Sequence, residues 1–167
     1  MKKWLVAAFT LLLAVALVAC GSGNDSNKDK SKSVSKTTVL DYYMNLSDKV
    51  SDKVHDLSAY QNMTGLDPKP SEADLKKAAK PASESAQQAS DELKKEKVPA
   101  KLGKYQKDLQ AGVDQLAEGY ADEAKALQTP KRDTAAADKK LAEASSKIGS
   151  VLEKAGLSKS DILTDVH

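Results

Sequence analysis

From Thr37 onward, the apolar residues of this 167-residue chain recur every three or four positions, in stretches divided by proline and glycine. Val39, Tyr43, Leu46, Val50, Val54, Leu57 and Tyr60 make one such stripe, with charged residues between them. A period near 3.6 puts them on one face of an amphipathic helix, and that face must be buried against other elements. The stripe predicts a first helix ending at Thr64-Gly65, because Asp67-Pro68-Lys69-Pro70 cannot continue it.

Three more stripes follow. Ser71 opens a second helix, with Asp74 as an acidic partner in its first turn and Leu75, Ala79, Ala82, Ala86, Ala89 and Leu93 as its apolar face. Pro81 falls inside it and removes a backbone donor, so a kink or a restart is expected there. Val98-Pro99 ends this helix, and a third runs from about Pro99 to Gln128 through Leu102, Tyr105, Leu109, Val113, Leu116, Tyr120, Ala124 and Leu127. Gly112 and Gly119 lie on one side of it. Interior glycine costs a helix about 0.5–1 kcal/mol relative to alanine. Either a neighbour approaches closely there, with the alanine-rich second helix as the candidate, or the helix is loosely packed. After Thr129-Pro130, a fourth stripe carries Ala137, Leu141, Ala144, Ile148, Val151 and Ala155, and Gly156 stands where a left-handed cap belongs. Residues 158–167 read as a tail that has room for one helical turn.

Short breaks between long helices imply antiparallel neighbours. The expected fold is therefore all-α, an antiparallel up-down four-helix bundle over residues 37–157. No strand-like run of β-branched or aromatic residues competes with it outside the N-terminal stretch. Trp4 and Phe9 both lie in that stretch, so the aromatics left to the bundle are five tyrosines. Its core must be built of Ala, Leu, Val and Ile, which suits closely packed helices better than a sheet.

The first twenty residues follow different rules. Lys2 and Lys3 precede an apolar run from Leu5 to Ala19, interrupted only by Thr10, which leads to Cys20, the single cysteine. The layout is that of a secretory signal. The run of about 15 apolar residues is short for a membrane span of about 20. With no second cysteine, no disulfide forms within the chain.

Leu17-Val18-Ala19-Cys20 resembles the lipobox of bacterial lipoproteins. The resemblance implies that a transferase places a diacylglyceryl group on the Cys20 sulfur. It also implies that a dedicated signal peptidase cuts between Ala19 and Cys20. Palmitate-type acyl chains would then anchor the protein to the extracytoplasmic face of the cell membrane. Gly21 stands where the inner-membrane retention signal of diderm lipoproteins has aspartate, and the Ser/Lys/Asn/Asp stretch that follows is similar to tethers of Gram-positive lipoproteins. The expected organisation is a signal peptide over 1–19, a lipidated cysteine and disordered polar tether over 20–36, the bundle, and the tail. A tether of this composition buries too little to offset its ordering entropy. It spans about 20–24 Å, and its lysines allow a mild attraction to anionic lipid.

Residues 1–19 hold two lysines and no acids, which leaves 24 basic and 24 acidic side chains beyond them. That neutral balance, with no basic stripe, argues against nucleic-acid binding. His55, near Asp48, Asp52 and Asp56, and the terminal His167 are the only histidines, and no Glu-x-x-His pair of the di-iron type occurs. No metal or other cofactor is expected apart from the covalent lipid. Glu118 and Asp122 sit among lysines and read as a solvated face. No Ser or Cys nucleophile with a base, and no phosphate loop, is apparent, so the protein is not expected to be an enzyme. Tyr43, Tyr60, Tyr105 and Tyr120 fall on core stripes, while Tyr42 lies beside its stripe and is the candidate exposed contact. The expected function is a membrane-anchored interaction module for a protein or cell-envelope component. The alternative is a carrier of a small apolar ligand within the bundle.

Overall fold

A computed structural model describes residues 34–166. The signal-like run, the lipobox with Cys20, most of the tether and His167 lie outside the described residues. Every regular element within that range is helical. The helices are α1 (Lys36–Ser51), α2 (His55–Thr64), α3 (Glu72–Lys95), α4 (Gln106–Leu127), α5 (Ala135–Lys154) and α6 (Ile162–Asp165), with a 3-10 turn over Ala100–Tyr105 ahead of α4. None of the described helices is long and apolar enough to cross a membrane.

The first stripe is two helices rather than one. α1 stops at Ser51 and α2 starts at His55, with Val54 at φ −93° and ψ 11° between them. Val50, Val54 and Leu57 nevertheless all remain buried, which is why their spacing hid the break. Two backbone groups freed by the break are satisfied by one side chain of α3. The Ser85 hydroxyl donates to the Lys53 carbonyl and accepts from the Leu57 N–H at 3.4 Å. A helix end buried without such partners would carry a desolvation cost.

α3 begins as expected, with the Ser71 hydroxyl accepting from the Asp74 N–H at 3.1 Å. It then runs without interruption across Pro81, so no restart occurs there. Pro81 faces solvent, and the Lys77 carbonyl that loses its partner is within reach of water. The third stripe also starts differently from the expectation. Ala100–Tyr105 is a tight turn containing Gly103 at φ 50°, and the α-helix proper begins only at Gln106.

Paired contacts fix the neighbours. α1 and α2 meet α3 through Lys49–Glu96 and Lys53–Ser85. α3 meets α4 through Ser83 and the Ala124 carbonyl, and α4 meets α5 through Asp108–Lys154 and Asp122–Lys140. Between α4 and α5, one residue number falls as the other rises. The close approach marked by the α4 glycines comes from α5, not from the alanine-rich α3. A Cβ on Gly112 would lie 2.7 Å from Ile148 Cγ1, and one on Gly119 would lie 2.6 Å from Leu141 Cδ2 and 3.3 Å from the Leu141 backbone nitrogen.

The far end of the chain is drawn into the same core. Gly156, at φ 78°, caps α5 in a Schellman turn: its N–H donates to the Glu153 carbonyl, and the Leu157 N–H donates to the Leu152 carbonyl. The single turn foreseen in the tail is α6, and Ile162 and Val166 are buried in the common core. Tyr43 donates to the Asp165 carboxylate, Ser145 donates to Asp161 at 2.6 Å, and the Lys36 ammonium donates to the Gly156 carbonyl at 2.9 Å. The first and last of these bonds fasten α6 and the α5 cap to α1, and the second fastens α6 to α5.

Two substitutions test this packing. Gly119→Ala gains about 1 kcal/mol in helix propensity, but its methyl group meets a backbone nitrogen that cannot rotate away. A net loss of about 1–2 kcal/mol is expected in denaturant unfolding, because overpacking outweighs the propensity gain. Ser85→Ala strands a half-buried carbonyl and a buried N–H at the α1–α2 break. It is expected to cost about 1–3 kcal/mol in the same measurement.

Candidate functional site

The residues singled out in the sequence do not converge. Tyr42, expected at the surface, is only 7% exposed and belongs to the core cluster. Leu46 and Tyr43 set a stripe wide enough that the adjacent Tyr42 also points inward, where its hydroxyl has no partner among the described residues. The exposure that made it a contact candidate is therefore missing. Tyr43, Tyr60, Tyr105 and Tyr120 are buried, as their positions required. His55 is exposed at the first residue of α2. Glu118 and Asp122 converge on Lys140, whose ammonium lies 3.6 Å and 2.5 Å from them. The hydrogen bond from Lys140 is the main cause holding Asp122 below its ordinary range. Among the described residues, no three His, Cys, Asp or Glu side chains gather as metal ligands.

Instead, the structure places a carboxyl group in the core that the stripe concealed. Glu123 lies on the same α4 face as Leu116, Tyr120 and Leu127 and is 1% exposed. Its spacing, three residues after Tyr120 and four before Leu127, was the available signal. A charged residue at a core register is easily passed over when Ala124 beside it fits the apolar pattern. Gln61 of α2 donates to Glu123 Oε1 at 2.9 Å. Glu123 Oε2 and the Tyr120 hydroxyl have no partner among the described residues. Burial, with Asp138 as a further cause, pushes the Glu123 carboxyl up to about 7, while the Gln61 bond pulls the other way. Burial also raises the Tyr120 hydroxyl above its ordinary range.

One turn further along α4 this polar layer reaches the surface. The Ser83 hydroxyl donates to the Ala124 carbonyl at 2.8 Å and accepts from Gln128 Nε2 at 3.0 Å. Ser83, Leu127 and Gln128 then line a cleft of about 650 Å³ between the first half of α3 and the α4–α5 connection. That volume is in the range of small-molecule sites. Arg132, the sole arginine of the sequence, closes one side of the cleft from a left-handed backbone position at φ 48°. Its guanidinium donates to Glu72, and its side chain is only 11% exposed. The arrangement offers hydrogen bonds and charge to a bound molecule. It does not place a nucleophile beside a base.

No protein-family model, curated protein or solved structure matches this chain.

The titration of Glu123 has a measurable sign. Its folded value of about 7 lies above its ordinary 4.5, so the folded chain keeps a proton that the unfolded chain releases. Stability falls as pH rises from about 4.5 to 7, by about 3 kcal/mol, and this contribution is flat above that window. Glu123→Gln is expected to match the parent near pH 4, exceed it at pH 8, and remove most of the fall. Denaturant titrations at the two pH values check this, and an unchanged slope would refute it.

Proposed function

We propose that this protein is a bacterial lipoprotein of the extracytoplasmic membrane face whose helical domain is a non-catalytic interaction module for a protein or cell-envelope component. The observation that carries the reading is Leu17-Val18-Ala19-Cys20 at the end of a short apolar run behind Lys2 and Lys3. A lipid on Cys20 would be the only cofactor-like group, and the polar stretch after it would serve as a tether. Within this reading, α1 with α2, then α3, α4 and α5 are the four legs of an up-down bundle, and α6 seals one end.

A filled apolar core and a surface of interspersed charges fit a module that binds rather than one that reacts. Leu40 and Met44, one turn apart on α1, are 38% and 55% exposed and present apolar surface on the helix nearest the tether. The carrier reading has less support. The cleft is rimmed by Glu72, Lys76, Lys80, Glu84 and Arg132, which suit a charged ligand better than an apolar one.

The anchor is testable in cells. Cys20→Ala is expected to leave the precursor uncut or to release the domain from the membrane, and to abolish incorporation of labelled palmitate. Fractionation with intact-mass analysis reads both effects. A substituted protein still cut before residue 20 and still membrane-bound would sink the lipoprotein reading.

A further inference from the structure

Three features of the cleft beside α3 belong together. The first is an unused pair of positive charges. Lys76 and Lys80 are one helical turn apart on the cleft wall, both exposed, and neither makes an ion pair with a described residue. Like charges four residues apart repel on a helix. The second is the fate of the acid that should relieve them. Glu72 precedes Lys76 by four residues, the favourable order for a Glu–Lys pair, yet its carboxylate is bonded to Arg132 instead. Glu84, four residues after Lys80, is left as the facing counter-charge and makes no ion pair with it. The third is the floor. Ala79 and Leu127 give a small apolar base, with the Ser83 hydroxyl and Gln128 amide beside it.

We propose that this cleft binds a small organic oxyanion, with its charged end between Lys76 and Lys80 and a short apolar stem on Ala79 and Leu127. With Glu72 engaged by Arg132, the wall offers two free ammonium groups against one carboxylate, a surplus that a single anionic ligand would neutralise. The Arg132–Glu72 pair acts as the side wall, fixing the α4–α5 connection to the start of α3 and keeping the cleft open toward the lysines. Carboxylate and phosphate heads share this chemistry. The site does not depend on the membrane anchor, so failure of either proposal leaves the other standing.

The test uses the full chain in zwitterionic micelles, labelled for amide NMR and titrated separately with butyrate, butyl phosphate and butylammonium. Saturable shifts at residues 76–84 and 127–132 are expected with at least one of the two anions, in the roughly millimolar range that ligands of this size reach. The stronger anion identifies the head group. Lys76→Gln with Lys80→Gln should weaken binding roughly tenfold or more, whereas Lys77→Gln, outside the cleft lining, should not. Added salt should weaken binding to the parent protein, since exposed charges are screened. The salt titration needs no variant and stands even if the double substitution perturbs α3. Absence of saturable shifts with both anions would overturn the proposal. So would equal binding of butylammonium, or affinity that neither the lysine substitutions nor salt reduces.

Discussion

Thin packing between α4 and α5 is the constraint on which the rest of this fold depends. Gly112 and Gly119 leave room for Ile148 and Leu141 to press against the α4 backbone. α3 also packs on α4, and its alanines 79, 82, 86 and 89 are all buried in the common core. The buried core still draws most of its members from Leu, Ile, Val and Tyr, with alanine as the minority. Close contact at the glycines adds many weak dispersion contacts to that burial. The larger side chains, Tyr120 and the leucines of α4 among them, fill the gaps that small-residue contacts leave.

Helices this close leave little room for error in their polar atoms. Ser85 satisfies both sides of the α1–α2 break, and Ser83 reaches the Ala124 carbonyl across the α3–α4 contact. A serine is barely larger than an alanine, so it can join a small-residue interface while supplying a donor and an acceptor. Glu123 is the exception. It fills a core position with a group whose charge is costly there, and Gln61 compensates only one of its oxygens. That carboxyl is one helical turn before Leu127, which lines the cleft.

Periodicity made the helical class legible, together with most of the core. Tyr43, Leu46, Leu116, Tyr120 and Ile148 are buried where a 3.6-residue repeat puts them. The cap at Gly156 was legible because left-handed backbone is a local property of the chain. Features that depend on a second element were not. The α1–α2 break preserves the apolar spacing and is satisfied from α3, so nothing within residues 50–57 announces it. The partner of the α4 glycines could be any neighbour, and only the fold selects α5 over α3. Tyr42 was misplaced because a helix covered on two sides, by α3 and by α6, buries a wider arc than one stripe. Glu123 shows the converse limit, since a residue's polarity does not reveal its burial when its register matches the core.

The bond between Tyr43 and Asp165 joins residues 122 positions apart in sequence, and Lys36 reaches Gly156 over 120. α1 therefore has part of its floor supplied by residues 162–166, the last described stretch to leave a ribosome or an export channel. Until they emerge, the Val39 side of α1 has α3 beside it but no α6 beneath it. The first described helix is thus held by the last described one, so loss of residues 162–166 would uncover part of a helix more than a hundred positions away.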